Sequence, residues 1–320
     1  MRRALVLFAL LAGAFSAAFA QSYPDRPVKI VAGFPPAGPT DIVARLFAER
    51  AGNDLKQAFV VENKPGANSI IATNEVATSK ADGYTLLAAA QNHVMIPVLY
   101  ADRVRFDTAK SFAPICIVAR SPTVLVVAPR FGVKTLSEFM QKVRDKPGTY
   151  TYASVGIGSV VHLATENLLS ITRLSMTHVP YKGAPPAATA LLAGEVDAYL
   201  ATVGSVLAQI KAGKFLAIAV AADGRSSLLP EVPTFAEVGV KGFSADVWFG
   251  FFAPAGTPDA IVNVLEREAE GFSKDAAVRD RLVAAGIEPA LTCGASFGNQ
   301  LATEIATYSR VAKALNIKVE

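Results

Sequence analysis

The 320-residue chain has two cysteines, three histidines and one tryptophan, and each scarcity excludes a kind of chemistry. Cys116 and Cys293 are too few for a disulfide-built scaffold and have no metal-ligand spacing. They read as two small buried apolar residues, with pairing open to them in an oxidising compartment. His93, His162 and His178 stand near neither a cysteine nor one another at metal-binding spacing, so no metal and no cofactor is expected. Charged residues make up only 18% of the chain, 31 basic against 27 acidic, and the basic ones never form a run. That pattern lacks the footprint of a nucleic-acid or polybasic membrane-surface binder. Past the N-terminus there is no apolar stretch of membrane-spanning length.

What is present begins with an export signal. Arg2 and Arg3 precede an apolar run from Ala4 to Ala14 that ends in Ala18-Phe19-Ala20, the pattern of a secretory signal peptide cleaved after Ala20. Loss of residues 1–20 leaves 29 basic against 27 acidic residues and an exported, periplasmic chain beginning at Gln21. Its length and 52% hydrophobic content give ample core for two domains and exclude disorder.

Short β-branched runs alternate with longer helical patterns, as in parallel βαβ units. Strands are expected at Val28–Ala32, Ala58–Glu62, Tyr84–Ala88, Tyr150–Ala153, Met176–Pro180, Asp197–Ala201 and Phe215–Ala221. Helices are expected after Pro39, where Ile42, Val43, Leu46 and Phe47 recur at helical spacing, and in a segment ending near Ser79. Others follow at Thr135 with Glu138 as a capping box, from Ser159, over Pro185–Ala193, at Thr257-Pro258 and over Phe297–Leu315. Phe112–Val127 is too long for an ordinary strand and reads as a first crossing between lobes, with a return near Val247–Phe252. The expected division is lobe 1 from 21–121 and 245–320, and lobe 2 from 122–244. Two crossing strands form a hinge suited to bending.

Two strand-loop-helix junctions, one per lobe, carry the candidate chemistry. Phe34-Pro35-Pro36-Ala37-Gly38-Pro39-Thr40-Asp41 ends a strand and opens a helix with Thr40 or Asp41 as its cap. Ser154-Val155-Gly156-Ile157-Gly158-Ser159-Val160-Val161-His162 does the same with two glycines and two hydroxyls. First-turn amides and the helix dipole attract anions, and binding in open α/β sheets lies beyond the carboxyl ends of the strands. The same residues also suit ordinary turns. A dinucleotide fingerprint fails because Val161 stands where its third glycine belongs, and no Gly-x-Ser-x-Gly elbow surrounds Ser159. Ser159 and His162 share a helix face, but capping explains the pair more simply than nucleophilic catalysis. Trp248 and its neighbouring phenylalanines read as core at the return crossing, with Trp248 reaching toward the crevice. Asp197 reads equally as a strand-end cap or as a group of the site.

At Tyr23-Pro24-Asp25-Arg26-Pro27-Val28, Phe34 to Asp41 with Ala44-Arg45, and Glu62-Asn63-Lys64-Pro65-Gly66-Ala67, the chain resembles the Bug-type receptors of tripartite tricarboxylate transporters. The likeness continues through Asp82-Gly83-Tyr84-Thr85-Leu86, Tyr152 to Leu163, Val179-Pro180-Tyr181-Lys182-Gly183 and Leu229-Pro230-Glu231-Val232-Pro233-Thr234. It ends with Trp248-Phe249-Gly250 and Ala253 to Pro258, so it covers nearly the whole mature chain. The resemblance implies an α/β, type II periplasmic-binding-protein fold, two α/β lobes joined by two crossing strands with a ligand cleft between them. It also implies a monomer without catalysis that captures a small carboxylate and delivers it to a membrane permease. A carboxylate sensor that signals without transport is the alternative. The implied ligand residues are Phe34, Pro36, Ala37, Gly38, Thr40, Asp41, Ser69, Asn92, Ser154, Gly156, Gly158, Ser159, His162, Tyr181 and Asp197. Ala37 stands where a glycine is common, and Asn68-Ser69 replaces a glycine-containing pair, so both loops are expected to sit differently here.

Overall fold

The computed structural model describes residues 23–222, 224–314 and Ile317; the expected signal peptide lies outside the described residues. Strand β1 (Val28–Ala32) is a β-branched run buried on both faces, as parallel strands require. Helix α1 (Pro39–Leu55) starts with proline in its first turn, where the ring presets φ and no amide is lost to the ladder. There follow β2 (Phe59–Asn63), α2 (Ile70–Ala77), β3 (Thr85–Ala90), the short α3 (Ile96–Leu99), and the sixteen-residue β4 (Phe112–Val127). Next come α4 (Leu136–Asp145), β5 (Thr151–Ser154), α5 (Val160–Thr172), β6 (Thr177–Pro180), α6 (Ala184–Ala193) and β7 (Ala198–Thr202). The chain continues through α7 (Val203–Lys211), β8 (Leu216–Ala221), β9 (Asp246–Pro254), α8 (Asp259–Lys274), α9 (Ala276–Ala284), β10 (Glu288–Cys293) and α10 (Gly294–Ala314).

Two sheets share β4. Its first part, Phe112 to Pro122, pairs antiparallel with β9, and β10 lies along its other edge at Cys116–Arg120; β9 leads on to β3, β1 and β2. From Thr123 to Val127 the same strand pairs with β7 and β8, and β7 leads to β5 and β6. The switch falls at Pro122, which has no amide to donate to either ladder. β4 and β9 are therefore the two crossings, and the architecture is a two-lobed α/β fold. Ser121, buried at the switch, accepts a hydrogen bond from Gly204 N–H (3.1 Å) and donates to the Gly286 carbonyl (3.1 Å), so the hinge is tied to both sides.

The larger core lies around Phe47, Trp248, Phe251, Phe252, Phe272 and Phe297 in lobe 1. Lobe 2 has one apolar cluster on each face of its sheet, around Tyr152 and Phe139 and around Tyr199 and Leu191. Cys116 and Cys293 form a disulfide, which corrects their reading as unpaired core residues. They are 177 residues apart, and only the pairing of β10 with β4 brings them opposite each other.

Helix α7, helix α9 and strand β10 were not anticipated. α7 follows β7 without a connecting loop, because Thr202 ends the strand and begins the helix at once. Thr135 caps α4 as expected, accepting from Glu138 N–H, but Glu138 returns to the Lys134 amide (2.7 Å) rather than to Thr135. Pro258 stands at the N-cap of α8 instead of inside it, and the Thr257 hydroxyl donates to the Pro254 carbonyl.

Candidate functional site

Strands β1 and β3 run parallel, as do β5, β6 and β7, so in each lobe the loops at the carboxyl ends of the strands gather on one side. These sides face each other across a shared cavity. Lobe 1 contributes Phe34, Gly38, Pro39, Thr40, Ala90 and Asn92, and lobe 2 contributes Val155, Val161, Ala184, Pro185, Tyr199 and Thr202. Val247 and Phe249 of β9 form the floor. Helices α1, α5, α6 and α7 all begin here, so four helix N-termini converge on a space whose lining includes no aspartate, glutamate, lysine, arginine or histidine among the described residues.

The junction after β1 is organised by a carboxylate that points away from the cavity. Asp41 is 3% exposed and accepts from Ala37 N–H (2.9 Å), from Arg45 Nε (2.9 Å) and, at its other oxygen, from Asn63 Nδ2 (2.9 Å). Burial opposes its ionisation, but the hydrogen bonds from Arg45, Ala37 and Asn63 outweigh burial and hold the carboxyl below its usual range. Asp41 is thus a brace in the third helical position, not a cap; Gly38 is the N-cap and has no side chain to offer. The brace holds Ala37 at φ 63°, a left-handed conformation that disfavours alanine by roughly 1–2 kcal/mol. The loop therefore keeps the turn that glycine would favour, contrary to the expectation from the substitution. The first bond inside α1 runs from Ile42 N–H to the Gly38 carbonyl, so the Thr40 and Asp41 amides have no carbonyl to meet within the helix.

The junction after β5 is organised by imidazoles. Gly156 (φ 141°) and Gly158 (φ 69°) make the turn, and Ser159 caps α5 by accepting from His162 N–H. His162 Nδ1 accepts from Gly158 N–H (3.1 Å), and its ring stacks on His178 with centroids 3.9 Å apart. His178 stacks on Tyr152 and meets Ser154 Oγ at 2.6 Å, while the Tyr152 hydroxyl donates to Glu166. Burial, joined for His162 by the neighbouring His178, lowers the two imidazoles to about 3 (His162) and about 4 (His178), so both are neutral at pH 7.

Lobe 1 reaches across the cavity edge to this loop. Asn92 Oδ1 accepts from Val160 N–H (3.1 Å), and Asn92 Nδ2 donates to Asn68 Oδ1 (2.8 Å). Asn68 Nδ2 in turn donates to the Gly158 carbonyl (3.2 Å), and the Tyr100 hydroxyl to the Ile157 carbonyl (2.5 Å). Asn68 sits between Ala67 and Ser69 in three successive left-handed residues, φ 45°, 51° and 74°. That backbone is strained for non-glycine residues and projects the Asn68 amide toward lobe 2. A methyl at Gly183 would come within 2.6 Å of Pro35, so the rims of the lobes are already in contact and the conformation is closed.

The family model of the tripartite tricarboxylate transporter family receptor matches residues 43–317. The chain belongs to that receptor family. It is 32% identical over 315 residues to BugT of Bordetella pertussis, covering 98% of this chain and 97% of that one. Among solved structures, an R. palustris protein with adipate is 32% identical (TM-score 0.88, 93% of this chain and 99% of that one). MatC from Rhodopseudomonas palustris with bound malate is 31% identical (TM-score 0.84, 90% of this chain and 99% of that one). Members of the family are periplasmic binding proteins, and among the described residues no helix is long and apolar enough to cross a membrane.

Of the residues anticipated for this receptor's site, Phe34, Gly38, Thr40 and Asn92 line the cavity. Ala37 lies at an adjoining outer recess and Pro36 is exposed. Asp41, Ser154, Gly156, Gly158, Ser159 and His162 lie one layer behind and shape the loops. Ser69 packs on Gly33, whose missing Cβ would overlap the Ser69 hydroxyl. Tyr181 binds the Ser154 carbonyl through its amide (3.0 Å), and its hydroxyl faces Glu195. Asp197 takes the first of its two readings, a strand-end cap: it precedes β7 and accepts from the Thr151 N–H (2.8 Å) and hydroxyl at the opening residue of β5, at the far end of the strands from the cavity, so it does not belong to the site. Trp248 is fully buried with Nε1 on Glu304, and strand alternation turns Val247 and Phe249 to the cavity instead. Sequence reasoning also missed Ala184, Pro185, Tyr199 and Thr202. The signal for the first two was available in Gly183-Ala184-Pro185-Pro186, prolines at a helix start after a strand.

Proposed function

We propose that this chain is a periplasmic solute-binding protein that captures a small carboxylate by closing two lobes and delivers it to the membrane permease of a tripartite tricarboxylate transporter. One observation carries the proposal: four helix N-termini from both lobes converge on a cavity whose lining includes no acidic or basic side chain among the described residues. The helix dipoles and first-turn amides favour an anion there, and no fixed cation is needed. The relatives solved with adipate and with malate support the same ligand class. Lobe closure needs a guest that contacts both sides at once, and the cross-cavity bonds of Asn68, Asn92 and Tyr100 would add to its grip.

In this reading residues 1–20 are removed after Ala20, lobe 1 comprises 21–121 and 245–320, lobe 2 comprises 122–244, and the mature protein works as a monomer without catalysis. Thermal denaturation of the mature protein against small carboxylates, uncharged sugars and cations tests it. A carboxylate at about 100 times its Kd raises stability by about 2.7 kcal/mol. A response confined to sugars or cations overturns the proposal.

A further inference from the structure

Resting on the carboxylate reading above, we infer that Asn68, which does not line the cavity, is a positioning residue for the guest: it aims the amide of Asn92, which does line it. The two side chains form one relay of hydrogen bonds between the lobes. The Gly158 carbonyl accepts from Asn68 Nδ2 (3.2 Å), Asn68 Oδ1 accepts from Asn92 Nδ2 (2.8 Å), and Asn92 Oδ1 accepts from Val160 N–H (3.1 Å). Both ends of the relay are backbone groups of fixed character, a carbonyl that only accepts and an amide that only donates. Turning over either side-chain amide, or both together, breaks two of the three bonds, so the orientation of each is settled. Asn92 spends one amide proton on Asn68, and the other meets no acceptor among the described residues. Because Asn92 is 4% exposed and borders the cavity, a guest is the acceptor that proton can meet. With the amide reversed, a carboxylate there would face an oxygen instead of a donor.

Asn68 is itself held by lobe 1 alone. The left-handed stretch around it is fixed from behind: Ser69 N–H donates to the Gly66 carbonyl (3.0 Å), the Thr73 hydroxyl donates to the Ser69 carbonyl (2.9 Å), and the Ser69 side chain fills the space that Gly33 leaves. Asparagine is among the few side chains that tolerate such a backbone, which is why an amide can stand at this point. The bond between Asn68 and Asn92 lies within lobe 1 and needs nothing from lobe 2, whereas those to Gly158 and Val160 require the lobes to meet. The Asn92 donor is thus half oriented before closure and fully oriented after it. A donor fixed in advance loses less freedom when the guest arrives, so the effect of Asn68 on affinity runs through Asn92.

Nuclear magnetic resonance titration of the mature protein, isotope-labelled at asparagine nitrogen, with acetate, malate and adipate at pH 7 tests the inference. Asn68→Gly, which accepts φ > 0 without strain, and Asn92→Ala identify the two side-chain amide signals by their loss. In the parent protein, one proton of the Asn92 pair should move downfield as the acid binds. Asn68→Gly should weaken that acid about five- to tenfold. This loss should exceed, by about threefold or more, the loss that the same substitution causes in an Asn92→Ala background. An Asn92 amide that ignores an acid that binds, or a difference between the two backgrounds below about threefold, overturns the inference and leaves the carboxylate reading standing. No binding of any of the three acids overturns both.

Discussion

The junctions after β1 and after β5 are made of the same parts: a strand end, a turn with left-handed residues and a helix N-terminus. They finish in different states. After β1, the loop is braced from behind by Asp41, so the amides of Thr40 and Asp41 are left for a guest. After β5, the amides of Gly158, Val160 and His162 are answered by His162, by Asn92 across the cleft and by Ser159, and among the first-turn amides only that of Val161 is left open. A helix N-terminus is an anion site only where the protein's own acceptors do not reach it first. Lobe 1 therefore leaves more of its junction's amides open than lobe 2 does, and lobe 2 adds a surface to close upon.

The largest contrast between the lobes is covalent. Lobe 1 carries the Cys116–Cys293 disulfide, whereas lobe 2 has none. Closing a loop of that length lowers unfolded-chain entropy by about 5 kcal/mol at most, and native disulfides are typically worth about 2–5. Replacing both cysteines with serine should reduce stability by that range in urea unfolding. A midpoint unchanged from the parent would show that β10 needs no staple.

A paired substitution separates brace from distant clamp. Asp41→Asn removes a charged acceptor from three donors and should cost about 2–3 kcal/mol, with a loss of ligand affinity of tenfold or more, read by urea unfolding and calorimetry. Asp197→Asn should cost about 1–2 kcal/mol through Thr151 and leave affinity within twofold. Equal effects of the two on affinity would contradict the placement of Asp197 at the far end of the strands.

The imidazoles of lobe 2 give that junction a pH dependence that the junction after β1 does not share, although the buried His93 elsewhere in lobe 1, lowered by burial to about 4, titrates in the same window. His162 and His178 titrate at about 3 and about 4 in the fold against about 6.5 when unfolded. Between those values the unfolded chain binds more protons, so stability is full above about pH 6.5 and falls as pH drops toward 4. The slope approaches about 1.4 kcal/mol per pH unit for each histidine. Lobe 1's Asp41 has a lowered pKa, so its contribution is lost only at pH values below the ordinary carboxylate range. Stability followed from pH 7 to pH 4.5 should fall less steeply in His178→Phe, by one histidine's share, with His162 and His93 still contributing. A parent curve flat over that window would refute the neutral pair.

The smallest effect is expected at the latch. Asn68→Ala removes one hydrogen bond made only when the lobes meet, to the Gly158 carbonyl, and one within lobe 1 that orients Asn92, and should weaken ligand affinity about five- to tenfold, roughly 1 kcal/mol, with little change in the melting temperature of the ligand-free protein. An equal fall in ligand-free stability would make Asn68 a structural residue instead.

The crossing strand at Phe112–Val127 was legible with its bounds, because a run that long and that apolar has no place in a single sheet of ordinary strands. β1, the start of α5 at Ser159 and the cap at Thr135 were equally plain, being local matters of β-branching and capping chemistry. α7 was not, since a helix that begins on the last residue of a strand leaves no turn residues to mark it. Both junctions were found, yet only four of the fifteen flagged site residues, Phe34, Gly38, Thr40 and Asn92, reach the cavity wall. Side-chain direction depends on which partner a group finds, and Ser154 finding His178 or Ser69 finding Gly33 is invisible in one dimension.

The order of apolar runs, turns and caps by itself determined the two-lobed α/β architecture and the position of its two loops, because these follow from backbone propensities and periodicity within a few residues. The disulfide, the inward turn of Val247 and Phe249 in place of Trp248, the retreat of Asp197 and the unequal fate of the two amide sets were decided only by the tertiary fold. Each depends on groups far apart in the chain meeting at hydrogen-bond or bonding distance, and on which acceptor arrives first at a buried donor.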